Sequence, residues 1–222
     1  MRNFYKQIIM ALCAIALPAL AHSNEATPQI TKLNDCAKKA QTNAAGAYSD
    51  GLSWRLHYGG MLAEQCIALA KIGLGEYEDG ANHLFAIANA PDGGSDAQKS
   101  DMLVKSANAY LLAELPDGAI KALNLALILK PNDGDLLIDR ARASAMIQKW
   151  AEAEADLSQA MLARGPLGFA LRLRAETRLQ QKKYDLAEAD INDALRLEPK
   201  IVDNYVVRGR VREARRLGHA PN

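Results

Sequence analysis

The sequence predicts an all-α protein built as an α-solenoid, in which helical hairpins stack side by side. The first observation is an amphipathic segment that recurs at a fixed interval, beginning at Pro116, Trp150 and Tyr184. The second is that each segment ends at a helix-breaking residue: Pro131, Gly165–Pro166 and Pro199. A fixed period of this kind is typical of repeat proteins, whose units bury their apolar faces only against neighbouring units.

Small and large side chains alternate in fixed columns within these segments. A column of small residues beside a column of large ones is what two helices need in order to approach closely. The small columns are Ala119, Ala153 and Ala187, then Ala126, Ala160 and Ala194, and the large column between them is Leu123, Leu157 and Ile191. The half of each unit that precedes the segment also has apolar residues at three- and four-residue spacing, with its own small column at Ala107, Ala141 and Ala175. Each unit is therefore expected to be a helix, a short turn and a second helix.

These columns resemble the tetratricopeptide repeat, a helical hairpin of about 34 residues with the same order of small, aromatic, large and proline positions. The resemblance covers about 61–201 and divides it into units 61–94, 100–133, 134–167 and 168–201. The first unit departs from the pattern because Ile87 stands where a small residue belongs and residues 95–99 are extra, which predicts a longer turn. In the second unit, Pro116 replaces the usual aromatic residue.

The flanks of the repeats predict caps. Residues 34–60 fit two N-terminal capping helices, and residues 202–222 fit a capping helix and tail, in which 202–217 resembles the first half of a fifth unit. Such a C-terminal half-repeat cap would cover the apolar face of the unit before it. Residues 22–33, which are polar and contain Pro28, are predicted to form a flexible lead-in.

Residues 1–21 are typical of a signal peptide. Arg2 and Lys6 precede an apolar run over 8–20, and Ala19–Leu20–Ala21 offers the small residues that a signal peptidase accepts. A retained membrane anchor is the alternative, although the run is shorter than the roughly 20 residues that span a bilayer and contains Pro18. Cys13 lies inside the run and not at a cleavage site, which argues against a lipid anchor. We expect export to the periplasm and no stable membrane anchor after cleavage.

The charge balance argues against nucleic acid as a partner. The chain has 27 Lys and Arg against 26 Asp and Glu, and loss of Arg2 and Lys6 with the leader leaves 25 basic residues. The charge is uneven, however, because residues 168–222 contain 12 basic and 8 acidic side chains, whereas 22–167 contain 13 and 18. We expect an acidic front and a basic tail.

Two cysteines, Cys36 and Cys66, remain after export. An even number in an oxidising compartment predicts one disulfide bond, which would tie the first capping helix to the first repeat. The alternatives are two buried thiols, or a reactive Cys66 served by His57 or His83.

No arrangement of residues predicts catalysis. The four histidines have no metal-ligand spacing, and two cysteines as far apart in the sequence as Cys36 and Cys66 do not make a zinc site. Gly73, Gly75 and Gly80 fit a hairpin turn better than a nucleotide-binding loop because no strand precedes them. The segment 131–135 lacks the length and the closing Glu of a calcium loop. We expect no enzyme activity, no metal and no cofactor.

The resemblance implies a concave groove lined by the first helices, which in this family accepts an extended peptide or a partner's helix. Arginine in such a groove favours carboxylates because its planar guanidinium donates paired hydrogen bonds. We therefore expect a protein or peptide partner with acidic and apolar side chains. Carried over by register, the groove residues are Asn108, Arg142, Glu176 and Arg210, one turn earlier Val104, Ile138, Arg172 and Val206, and beside them Lys105 and Asp139. The opposing interpretation is that these are solubilising charges on an unused face.

A second candidate surface is the aromatic cluster of Tyr48, Trp54, His57 and Tyr58, which we expect to be core rather than a glycan platform. The leading interpretation of the whole chain is a periplasmic scaffold that binds a protein or peptide in cell-envelope assembly or maintenance. The alternatives are a structural protein that self-associates through its terminal repeat, and a glycan-binding or hydrolytic envelope protein. The oligomeric state does not follow from the sequence.

Overall fold

The structure is a computed structural model that describes residues 28–218, and these residues form eleven α-helices with no β-strand among them. The predicted signal peptide 1–21, residues 22–27 and residues 219–222 lie outside the described part. None of the described helices is long and apolar enough to cross a bilayer. The helices are α1 Pro28–Thr42, α2 Ala44–Leu56, α3 Gly60–Gly73, α4 Tyr77–Asn89, α5 Asp96–Leu112, α6 Pro116–Leu129, α7 Gly134–Met146, α8 Trp150–Arg164, α9 Gly168–Gln180, α10 Tyr184–Leu197 and α11 Val202–Gly218.

The helices form antiparallel pairs that stack in chain order, and the predicted all-α solenoid is confirmed. Helices α3 to α10 give four hairpins, α1 and α2 precede them, and α11 follows. The prediction of a flexible lead-in was wrong for residues 28–33, which belong to α1. Leu33 explains the difference because it packs against the cluster that contains Cys36 and Trp54, so this turn of helix buries an apolar side chain.

Residues 90–95 form a longer turn than those before α7 and α9, as the sequence predicted, and the extra residues 96–99 also lengthen helix α5. Ser95 accepts a hydrogen bond from the backbone N–H of Gln98, and the Gln98 side chain accepts one from the backbone N–H of Ser95. This reciprocal capping satisfies two N–H groups that a helix start otherwise leaves unpaired. Helix α5 therefore starts at Asp96 and is, at 17 residues, longer than the first helices of the other repeats.

The turn inside each hairpin contains one residue with a left-handed backbone. The residues are Gly75, Glu114, Gln148 and Lys182, with φ of 85°, 57°, 60° and 60°. Three of the four carry a side chain in a region that favours glycine. The fixed geometry of this turn orients the second helix of every repeat in the same way.

The predicted columns form the core between the helices. Ala119, Ala153 and Ala187 have no exposed surface, and neither do Leu123, Leu157 and Ile191. The absence of side-chain bulk at the alanines lets the helices approach, and the large residues fill the space beside them. Truncation of one such large side chain to alanine costs about 2–5 kcal/mol.

The first helices lie on the inner side of the stack. Successive first helices contact one another directly, since α7 touches both α5 and α9, and α9 also touches α11. Helices that stack in a superhelix crowd together on the concave side, so one face of α5, α7, α9 and α11 lines the groove.

Candidate groove

The predicted groove column forms a solvent-accessible row on the first helices. Asn108, Arg142 and Arg210 are exposed, and Glu176 is half-buried. Arg210 and Glu176 come from neighbouring first helices, and their Nη1 and Oε1 atoms are 3.7 Å apart. The register of the repeats thus places at least these two side chains next to each other, as the sequence predicted.

The column one turn earlier is only partly accessible. Val206 is 55% exposed and Val104 is half-buried. The assignment of Ile138 to the groove surface was wrong, because Ile138 is 3% exposed and packs with Leu137, Ala141 and Leu157 in the core. Its β-branched side chain fills space between helices and contributes to stability, not to a binding surface.

Each predicted groove cation already has a polar partner within the chain. Arg142 Nη1 donates to Asp139 Oδ1 over 3.2 Å, and Lys105 pairs with Asp101 one turn earlier. Arg172 Nη1 donates to Asn204 Oδ1 over 3.0 Å. A ligand carboxylate would therefore meet guanidinium groups that are already held in place, which lowers the entropy lost on binding.

Arg172 differs from the other groove cations because its partner is neutral. The partner, Asn204, has no exposed surface, and its Nδ2 donates to the carbonyl of Glu198 over 3.1 Å. The amide fixes the guanidinium without cancelling its charge. Arg142 and Arg210, by contrast, each pair with an acidic side chain. The sequence analysis did not identify Asn204 as a partner of Arg172. Its position in the first turn of α11 was the available signal.

Asp139 is the acidic counterpart that weakens the field of Arg142. Burial raises the pKa of Asp139, and this outweighs the lowering by the nearby Arg142 charge and hydrogen bond. Loss of hydration therefore destabilises the charged form of Asp139. Replacement of this carboxylate would leave Arg142 more available to an acidic ligand.

A buried ladder of arginine–aspartate pairs supports the first helices from the opposite side. Arg174 Nε and Nη2 donate to Asp190 at 2.9 and 2.7 Å, and Arg178 Nη1 donates to the same carboxylate at 2.8 Å. Arg140 makes the equivalent paired contact with Asp156 at 2.8 and 2.6 Å. We call these pairs the arginine ladder. It joins first and second helices within a repeat, and its recurrence at the repeat interval was visible in the sequence but was not recognised there.

Glu154 links the third repeat to the fourth. Its carboxylate accepts hydrogen bonds from Arg178 Nε, Gln181 Nε2 and Lys183 Nζ at 2.8, 2.8 and 2.7 Å. Burial of this carboxyl raises its pKa, but the hydrogen bonds from Lys183, Arg178 and Gln181 lower it more, to about 2. The fourth repeat is therefore held in register by charge as well as by packing.

The predicted disulfide is present: Cys36 and Cys66 are bonded, with their Cα atoms 5.8 Å apart. The alternatives of two free thiols and a reactive Cys66 do not apply to this state. His83 lies beside Glu64, with Nε2 3.0 Å from Oε2. The bond ties α1 to α3.

The aromatic cluster divides between core and surface. Trp54 is 5% exposed and packs with both cysteines, and Tyr48 is partly buried against the same cluster. Tyr58 is fully exposed in the loop before α3, and His57 Nδ1 lies 2.7 Å from the carbonyl oxygen of Ser53. With Trp54 in the core, these residues do not form one stacking platform for a sugar.

The described residues contain no group of three or more His, Cys, Asp or Glu that could hold a metal ion. The candidate site is thus a polar, arginine-containing groove along α5, α7, α9 and α11.

Solved structures similar to this chain are repeat domains of one kind. The Arabidopsis OM64 TPR domain is 25% identical with a TM-score of 0.52, over 54% of this chain and 98% of its own. The first TPR of Spaghetti (RPAP3) bound to the HSP90 peptide SRMEEVD is also 25% identical with a TM-score of 0.52, over 55% of this chain and 99% of its own. MamA is similar in fold, at 18% identity and a TM-score of 0.61, over 68% of this chain and 85% of its own. No protein-family model and no curated protein sequence matches the chain.

Proposed function

We propose that this chain, which is a tetratricopeptide-repeat protein, is a scaffold that binds a protein or peptide partner in its concave groove. The observation that carries the proposal is the row of exposed polar side chains on successive first helices, with Arg172 held by a neutral amide. Arginines fixed in place by their own neighbours suit the recognition of carboxylates.

A peptide-bound relative supports this mode of action. The first TPR of Spaghetti (RPAP3) was solved with the HSP90 peptide SRMEEVD, which is acidic at its end. The groove described here has arginines on successive first helices that can pair with ligand carboxylates, and Val104 and Val206 add apolar surface. We therefore propose a ligand segment that alternates acidic and apolar side chains.

Location in the periplasm and a role in assembly or maintenance of the cell envelope are the finer parts of the proposal. The signal-like leader 1–21 supports export. The bond between Cys36 and Cys66 also fits an oxidising compartment, because disulfides are rare in the cytosol. Fractionation followed by mass spectrometry of the mature N-terminus tests both points: a cytosolic protein that retains residues 1–21 would contradict them.

The groove is tested by affinity capture from envelope extract with a charge-reversed protein, in which Arg142, Arg172 and Arg210 become Glu. We expect the partner to be lost. The matched control reverses Arg196 and Arg216, which are 77% and 70% exposed on α10 and α11 and also pair with an acid one turn away. Equal capture by both variants would refute recognition through the groove arginines.

A further inference from the structure

Helix α11 takes the place of the first helix of a fifth repeat. It presents a face that is covered by a second helix in the preceding repeats. Tyr205 and Gly209 occupy the register of Leu171 and Ala175 in α9. Leu171 and Ala175 are 3% and 0% exposed because α10 packs on them, whereas Tyr205 is 47% exposed. A Cβ added to Gly209 would meet no atom within 4 Å. Within residues 28–218, no helix covers this face of α11.

The same face carries two arginines in the register of the arginine ladder. Arg208 and Arg212 lie one repeat interval after Arg174 and Arg178, the two side chains that converge on the carboxylate of Asp190. Arg212 pairs with Glu188 of the preceding repeat at 2.9 Å, as Arg178 pairs with Glu154 at 2.8 Å. The guanidinium of Arg208 lies 5.2 Å from the centre of the Tyr205 ring. The pair that links neighbouring repeats is therefore formed at α11, whereas among the described residues no carboxylate takes the position that Asp190 has in the arginine ladder.

We propose that this face of α11 docks an amphipathic helix of a partner protein, with an aspartate in the position of Asp190 and small residues in the positions of Ala187 and Ala194. Two features that recur together elsewhere in the chain support the proposal: a small residue that permits close helix approach, and arginines placed for one carboxylate. This face adjoins the groove residues Val206 and Arg210 of the same helix but uses different side chains, so the two proposals can fail independently.

The charge of α11 argues against a second copy of α11 as the occupant. The helix has five arginines and two acidic residues. Two such faces would place like charges opposite one another, which is unfavourable. A helix with an acidic face is complementary to it.

The test uses a helix of known fit, a capped peptide of residues 183–199, which contains α10, titrated into the full chain by calorimetry. We expect saturable binding, which is weakened about tenfold when Asp190→Asn removes the peptide's carboxylate. Gly209→Ala in the chain should keep binding, since Ala141 and Ala175 fill this register in other repeats. Gly209→Leu should abolish binding by filling the contact. Both substitutions are at an exposed helical position with open space and leave the fold intact.

Three outcomes of the titration would overturn the proposal. They are no saturable binding at peptide concentrations up to about 1 mM, binding that Gly209→Leu leaves unchanged, and binding that is lost on Arg142→Glu, which would place the peptide in the groove. Concentration-dependent dimerisation of the chain that Gly209→Leu abolishes would also contradict it, because a second copy would then be the occupant.

Discussion

The arginine ladder gives the sharpest stability prediction, and Asp190→Asn is the perturbation that tests it. The Asp190 carboxylate is 5% exposed and accepts three hydrogen bonds, from Arg174 Nε, Arg174 Nη2 and Arg178 Nη1. Its two partners are also poorly exposed, at 17% and 13% of their side-chain surface. The asparagine keeps one acceptor oxygen but removes the charge, so Arg174 loses its carboxylate partner and Arg178 loses one of two, in a site with little water.

The expected magnitude follows from this burial. Breaking a buried pair by removing one partner costs about 3–5 kcal/mol, and the lower end applies because asparagine retains one hydrogen bond and Arg178 keeps Glu154. A loss of about 3 kcal/mol lowers the Tm of a chain of this size by about 6–12 °C. The matched control is Asp193→Asn on the same helix, where the Arg196–Asp193 pair is exposed and contributes about 0–1 kcal/mol.

The assay is thermal and urea unfolding followed by far-ultraviolet circular dichroism. The proteins measured are wild type, Asp190→Asn, Asp193→Asn, Arg174→Ala and the double mutant Arg174→Ala/Asp190→Asn. Because Arg174 and Asp190 share one interaction, the double mutant should cost less than the sum of the single mutants. If Asp190→Asn is no more destabilising than Asp193→Asn, the ladder does not hold the fourth hairpin together and the reasoning is refuted.

The remaining predictions concern the disulfide and two carboxylates. Replacing both Cys36 and Cys66 with alanine should lower stability by about 3–4 kcal/mol in the chain-entropy model, because the bond joins cysteines with a sequence separation of 30, and urea unfolding of oxidised wild type against the variant measures it. Glu154, whose folded pKa is lowered to about 2, should stabilise the chain above pH 4.5 and lose that contribution as the pH falls toward 2, so the difference in unfolding free energy from Glu154→Gln should shrink between about pH 7 and about pH 3. Asp139 has a raised folded pKa, so it stabilises the chain below its usual pKa and that contribution is lost as the pH rises above it. Asp139→Asn should therefore be at least as stable as wild type at neutral pH and should bind an acidic groove ligand more tightly, as calorimetry with the captured partner would measure.

The repeat architecture could be predicted from sequence because the signal is redundant. Ala153 and Ala187, for example, recur with their large neighbours at a fixed interval, and both are fully buried where helices pack closely. Residues 28–33 were harder, since their polar composition conceals Leu33, whose burial depends on the tertiary position of α1.

The repeat register predicted which groove residues are neighbours, but not which of their side chains are exposed to a ligand. The repeat interval placed Glu176 and Arg210 side by side, as observed. It could not show that Ile138 turns into the core, nor that Asn204 would fix Arg172, because both depend on the angle between neighbouring helices.

Site-specific photocrosslinking in cells tests most directly whether the inner face of the solenoid receives a partner. A photoreactive side chain is placed at Asn108 or Arg142, which are exposed on first helices, and, as controls, at Ile128 or Leu162, which are 71% and 88% exposed on second helices. We predict one partner protein crosslinked from both first-helix positions and from neither control. Crosslinking of that partner from Ile128 and Leu162 alone would contradict the proposed groove.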